Sequence, residues 1–205
     1  MVDFNFDKNF KSPIIGIDEV GRGSWAGPVI AVACLLNHTK PLPKNLNDSK
    51  KLLPKVRYEI FKSLTRHACF GIGSSSNNDI DNYGIQKATF KAMEIAFMDL
   101  RKKIDEIKIS TILIDGNQNP YFQDTYGADM KLIIKGDTVS PSIAAASIIA
   151  KCTRDLFMLE MDVVYDGYGF GTNMGYGTKF HKNKLFASGP TQLHRMTFSP
   201  MKNFQ

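Results

Sequence analysis

A chain of 205 residues, 43% hydrophobic and 22% charged, is long enough for one good core and short for two, and its composition is that of an ordinary soluble globular protein. No apolar run nears the roughly 18 residues that cross a bilayer, and the acidic, interrupted start Met1-Val2-Asp3-Phe4 is not a secretory leader, so the chain is expected to stay in the cytosol. Cys34, Cys69 and Cys152 are scattered in apolar surroundings and read as buried thiols; His38, His67, His181 and His194 have no metal-ligand spacing, so zinc is not expected.

In chain order, Ile14-Ile15-Gly16-Ile17 reads as a strand covered on both faces, running into Asp18-Glu19 and the turn Gly21-Arg22-Gly23. Residues 28–36 make a second buried strand. A loop with Pro41 and Pro43 leads to Asp48-Ser49-Lys50-Lys51-Leu52, and a helix is predicted over about 54–67, with proline in its first turn. Residues 69–73 form a short third strand. Asp79 or Asp81 is expected to cap one long helix running to about Arg101, with Ile85, Ala88, Ala92, Ile95, Ala96 and Leu100 on one face. Strand four, 111–114, ends in Asp115-Gly116; strand five, 131–134, is followed by Gly136-Asp137. A small-residue helix starts at Pro141 and continues past Arg154, residues 165–177 read as a loop, and a short basic helix over about 178–187 precedes an extended tail. This order predicts an α/β fold: one sheet, helices on its faces, one domain over 1–205.

Three apolar strands thus each deliver a carboxylate at or just past the C-terminal end. A single strand-end acid commonly caps a loop, but Asp18, Glu19, Asp115 and Asp137 together would gather negative charge that calls for a cation. Hard oxygen donors suit Mg²⁺ or Mn²⁺, and two such ions about 3.5–4 Å apart serve in-line phosphoryl displacement. The net charge of +6 and the basic clusters at 50–51, 101–103, 151–154 and 179–184 suit a phosphodiester substrate. The run Gly21-Arg22-Gly23-Ser24-Trp25-Ala26-Gly27 approaches a dinucleotide fingerprint, but its third glycine comes one position late and a strand follows it, not a helix. It reads instead as a turn that lets backbone approach a sugar or phosphate, or as a plain turn between two strands. Tyr176, between Gly175 and Gly177, is placed either to stack on a sugar or base or to pack half-buried, and Tyr168 offers the same two readings. Trp25 reads as packing, and His181 and His194 as surface or phosphate-contacting residues.

These residues carry a resemblance. The segments 16–23 and 26–29, Asp48-Ser49-Lys50-Lys51-Leu52, Ile114-Asp115-Gly116, Lys135-Gly136-Asp137, 143–155, Gly175-Tyr176-Gly177-Thr178-Lys179, Gly189-Pro190-Thr191 and His194-Arg195 together resemble ribonuclease HII along nearly the whole chain, in order. The resemblance implies an RNase H-like mixed sheet flanked by helices, with a C-terminal helical extension from about 156. It implies a monomeric Mg²⁺- or Mn²⁺-dependent enzyme that cuts the RNA strand of RNA–DNA hybrids and cuts 5′ of single ribonucleotides in duplex DNA, leaving 3′-hydroxyl and 5′-phosphate ends. By motif, Asp18, Glu19 and Asp115 would be metal ligands and Asp137 the fourth carboxylate. The Gly21-Arg22-Gly23 backbone would read the 2′-hydroxyl, Tyr176 would stack on the next deoxyribose, and Lys50, Lys51 and Lys179 would contact phosphates. Ser24-Trp25, Asp166 and Thr172-Asn173-Met174 depart from the family pattern, and the basic and rigid positions lost at 166 and 172–174 are expected to weaken the grip on the strand passing Tyr176. A start of the first strand near Ile14 argues against the ribonuclease HIII relatives. The alternatives are a two-metal nuclease of the same fold that acts on DNA alone, and a non-catalytic nucleic-acid binder.

Overall fold

The computed structural model describes residues 2, 5–37, 42–43, 45–47, 49–122 and 125–204; His38 and Asp48 lie outside them. Five strands form one mixed sheet in the order β3-β2-β1-β4-β5: β1 (Ile14–Val20), β2 (Val29–Leu36), β3 (Ala68–Ser75), β4 (Thr111–Asp115) and β5 (Asp129–Ile133). The first three run antiparallel, with Gly16 opposite Cys34, and β4 and β5 continue parallel to β1, with Ile17 opposite Ile114 and Asp115 opposite Ile133. The parallel arrangement of β1, β4 and β5 puts their C-terminal ends on one rim, so the acids that follow their apolar runs arrive together.

Both faces of the sheet are covered, which is why β1 and β2 are apolar at nearly every position. Helix α3 (Ile85–Lys103) lays Ala88, Ala92, Ala96, Phe97 and Leu100 against Ile15, Ile17, Ala31 and Ala33. On the other face, α1 (Pro54–His67) and α4 (Pro141–Val164) bury Ile60, Leu64, Ala145, Ile148 and Ile149 against Val32, Cys34 and Leu36. Cys34 and Cys152 are buried and Cys69 is half-buried. The α/β sheet, its strand count and its flanking helices agree with the sequence reading. Among the described residues, no helix is long and apolar enough to cross a membrane.

Three expectations need correction. The long helix expected from Asp79 or Asp81 is two helices, α2 (Asn77–Tyr83) and α3, separated at Gly84, whose φ of +80° breaks the helical path. Its cap is Ser76, which accepts from the Asp79 N–H while the Asp79 carboxylate accepts from the Ser76 N–H. The stretch 165–177 contains a short helix, α5 (Phe170–Asn173), before α6 (Lys179–Ser188). Nor is the tail simply extended: His194 bridges to Ala26, and a 3-10 turn closes Met201–Phe204. Helix α4 runs unbroken past residue 156. Its first half lies on the sheet, and its second half packs Met158 with Ala26, Tyr168, Phe170 and Leu193.

The start of α4 is seated by a buried acid. Asp7 is 2% exposed and accepts from the Ser140 hydroxyl at 2.6 Å, the Ser142 hydroxyl at 2.6 Å and the Ser142 N–H at 3.1 Å. Its charge also faces the positive end of the helix dipole. Replacing Asp7 with Ala strips these donors of their acceptor and is expected to cost about 2–3 kcal/mol, read as a lowered urea midpoint at unchanged slope.

Candidate active site

Parallel register sets the carboxylates side by side. Ile17 faces Ile114, so Asp18 and Asp115 follow on adjacent strands. Asp18 is 5% exposed; its Oδ1 accepts the Glu19 N–H at 2.7 Å, and the Ser147 hydroxyl on α4 also bonds to it. Asp115 Oδ1 accepts the Gly136 N–H at 2.7 Å, assisted by the Asp137 and Gly116 amides. That bond ties β4 to the 3-10 turn Gly136–Thr138 and brings Asp137, itself buried, to the same rim.

The electrostatics are those of crowded acids short of positive charge. Burial, and then the charges of Glu19 and Asp115, hold the Asp18 carboxyl well above the usual carboxylate range. Burial also raises Glu19, against the pull of Arg22, whose Nη1 donates to Glu19 Oε1 at 3.3 Å. Asp115 is raised by burial and lowered in part by the surrounding amides and by Lys50. Among the described residues, no three His, Cys, Asp or Glu side chains already close into a cage for a metal ion.

Next to the acids opens a cleft of about 340 Å³ lined by Glu19, Val20, Ser49, Lys50, Ser147, Lys151 and Tyr176. Lys50 therefore joins the site. Lys51 does not: it lines a separate hollow with Asn45, Asn47 and Val56. Lys179 is exposed at the start of α6. The Ser49 and Ser147 hydroxyls meet at 2.9 Å, and Arg57 donates to the Ser49 carbonyl at 2.6 Å, which fixes the segment that carries Lys50.

The turn after β1 is held from inside by two fully buried arginines. Arg154, on α4, donates to the carbonyls of Pro28 at 2.9 Å, Ala26 at 3.0 Å and Met174 at 2.8 Å, and to the Ser24 hydroxyl at 2.7 Å. Arg195 donates to the carbonyls of Gly21 at 2.7 Å, Arg22 at 2.8 Å and Gly27 at 2.8 and 3.0 Å. Burial, and then the charge of Arg154, brings Arg195 down to about 9. The loop carrying Tyr176 docks on this turn: the Trp25 N–H donates to the Gly175 carbonyl at 2.8 Å, and a Cβ on Gly177 would run into the Trp25 ring. Tyr176 itself is 38% exposed and faces the cleft.

The ribonuclease HII family model matches residues 15–201. The chain belongs to the ribonuclease HII family. It is therefore a ribonuclease H, a nuclease acting on RNA–DNA hybrids. Ribonuclease HII of Wolbachia pipientis wMel is 40% identical over 199 residues, covering 97% of this chain and 96% of the relative. Two solved structures share the fold: ribonuclease H2 from Pyrococcus horikoshii OT3 (TM-score 0.77, 22% identity, 93% of this chain and 95% of that one) and Bst-RNase HIII in complex with Mn²⁺ (TM-score 0.74, 21% identity, 92% and 68%).

Around the cleft of this ribonuclease HII family member, several residues sit differently from the sequence reading. His181 and His194 are fully buried, not surface or phosphate-contacting, because the elements around them converge on the Tyr176 loop. Their Nε2 atoms lie 2.9 Å apart, Thr191 N–H donates to His194 Nδ1 at 2.9 Å, and His181 Nδ1 lies 3.0 Å from the Tyr176 carbonyl. These partners fix both rings as neutral: His194 donates to His181, and His181 donates to Tyr176. Tyr168 is a packing residue whose hydroxyl donates to the Gly189 carbonyl. Asn173 and Met174 turn inward, Asn173 bonding Tyr168 and Gly175, so neither stands where a passing strand would meet it. Ser147, Arg154 and Arg195 lie in segments that carry the family resemblance, but nothing in the sequence assigned any of them a role at the site.

The histidine pair gives the fold a pH dependence. An unfolded His takes its proton near 6.5, whereas burial, and then the neighbouring His181, brings His194 down to about 4. Between these values the unfolded chain binds the extra proton, so the stability from this pair is complete above about pH 6.5 and is lost as pH falls toward 4. Chemical unfolding from pH 7 to pH 4.5 is expected to show a loss on the order of 2 kcal/mol that His194→Gln largely removes.

Proposed function

We propose that this enzyme cuts the RNA strand of hybrids and cuts 5′ of single ribonucleotides embedded in duplex DNA, leaving 3′-hydroxyl and 5′-phosphate ends. One juxtaposition carries the reading: Glu19, at the acid cluster, and Tyr176, on the docked loop, line the same cleft, with the glycine turn beside them. A Cβ on Gly23 would meet no atom within 4 Å, and its φ does not require glycine. The protein's own packing therefore gives no reason for glycine at 23, whereas close approach by a sugar does.

The donor set fits a divalent ion. Asp18, Glu19 and Asp115 offer hard anionic oxygens, and all three carboxyls are raised by burial, a deficit of positive charge that Mg²⁺ or Mn²⁺ would relieve. Held by these carboxylates, such ions would supply an activated water and charge stabilisation at the leaving 3′ oxygen. The chain's residues do the rest. Ser147 orients Asp18, the Gly136 amide orients Asp115, and Asp137 adds the fourth carboxylate. Lys50 stands at the cleft to meet a phosphate, the Gly21-Arg22-Gly23 backbone to meet the 2′-hydroxyl, and Tyr176 to stack on the following deoxyribose. On this reading the chain is one monomeric catalytic domain, working in the cytosol on ribonucleotide removal and hybrid clearance.

The test is a duplex of DNA containing one ribonucleotide, incubated with Mg²⁺ or Mn²⁺ beside an all-DNA duplex. A single cut 5′ of the ribonucleotide is expected. It should be absent from the all-DNA duplex and at least ~10³-fold slower with Asp18→Asn. Equal cutting of both duplexes would point to a DNA nuclease of the same fold, and binding without any cut to a non-catalytic binder.

A further inference from the structure

We infer that Arg195 is the positioning residue for ribonucleotide recognition: it pins the Gly21 and Arg22 carbonyls inward and so aims the Arg22 and Gly23 amides out of the protein. The inference rests on the reading of this turn as the element that meets the 2′-hydroxyl. Its geometry follows from the peptide plane. Both peptides are trans, so each N–H points opposite to the carbonyl before it. The Gly21 and Arg22 carbonyls both end on the buried Arg195 guanidinium, at 2.7 and 2.8 Å, which turns the next two amides away from it. Neither the Arg22 nor the Gly23 N–H has an internal acceptor among the described residues, and both residues are exposed. Two convergent donors, free and preorganised, suit one hydroxyl oxygen, and the open space at Gly23 lets it approach.

The grip depends on a planar fork. Arg195 spans two successive carbonyls while its Nε and Nη2 also hold the Gly27 carbonyl at the far end of the turn. A lysine offers one ammonium and cannot bridge these sites at once. Ser24, one of the departures from the family pattern, adds a second donor to the Gly21 carbonyl at 2.9 Å while accepting from Arg154. In this chain the Gly21 carbonyl is thus fixed from two directions. The backbone N–H of Arg195 also donates to the Trp25 carbonyl at 2.9 Å, which keeps the arginine in register with the turn it holds.

The test separates discrimination from folding and from affinity. The natural protein, Arg195→Lys and Ser24→Ala are titrated in EDTA, at one fixed salt concentration, with a duplex containing one ribonucleotide and with the same duplex in DNA only. The natural protein is expected to prefer the ribonucleotide. Arg195→Lys should lose about tenfold of that preference, the equivalent of a hydrogen bond or two, and Ser24→Ala a smaller part, with affinity for the all-DNA duplex unchanged in both. A folded Arg195→Lys that keeps the natural preference overturns the inference and leaves the reading of the turn standing. No preference in the natural protein overturns that reading, and the inference with it. If Arg195→Lys does not fold, amide exchange in the natural protein decides. Fast exchange at Arg22 and Gly23, slowed only by the ribonucleotide duplex, supports the inference; protection in the free protein overturns it.

Discussion

Two buried cations with no carboxylate among their hydrogen-bond acceptors in the described residues organise one end of this molecule. Arg154 and Arg195 direct their donors to backbone carbonyls of a single turn and the loop docked on it, and to Ser24. Burying a guanidinium is tolerable only when its donors are satisfied, and here the inward carbonyls of the turn and the Ser24 hydroxyl satisfy them. The cost of burial is seen in the lowered Arg195 pKa. What it secures is a backbone of fixed orientation where glycines would otherwise leave it loose.

The same turn separates two opposite electrostatic regimes. Before it, β1 delivers Asp18 and Glu19 into a rim where Asp115 and the buried Asp137 also arrive, and burial raises the carboxyls of the first three. After it, positive charge is buried against carbonyl dipoles. Arg22 lies between, its side chain on Glu19 and on Gln86 and its carbonyl on Arg195. A polyanion approaching this edge meets exposed Lys50 and half-buried Lys151, the latter paired with Asp155 at 2.6 Å, and finds the acids recessed below. Substrate attraction and carboxylate clustering therefore need not oppose each other, although they share one cleft.

Much of this was legible in the sequence because it rests on short-range rules. Apolar runs ending in acids marked β1, β4 and β5; α2 and α3 lie on the crossover from the antiparallel hairpins to β4, whereas β5 follows β4 with no helix among the described residues between them. Proline at 54 and 141 marked the starts of α1 and α4. The break at Gly84 was missed because the apolar spacing of α3 reads smoothly back toward Asp81. In the fold Asp81 accepts instead from the amides of Met196 and Thr197, 115 and 116 positions away. The histidine pair escaped for the same reason. Nothing local links His181 to His194, and two neutral rings joined through Nε2 resemble scattered surface histidines until α6 and the tail are folded together. The reverse error fell on Asn173, expected to bear on the strand passing Tyr176, whereas its side chain turns inward to Tyr168 and Gly175.

The clasp on the turn closes over a separation of 174 residues, between Arg195 and Gly21. A chain leaving the ribosome thus has Asp18, Glu19 and Asp115 in hand long before the residue that orders the neighbouring backbone has been made. Contacts of such range form late, because the intervening chain must first be ordered. A product broken off by premature termination near residue 190 would carry the acids without the clasp, so the turn gains its hold only once residue 195 has been made and brought back to it.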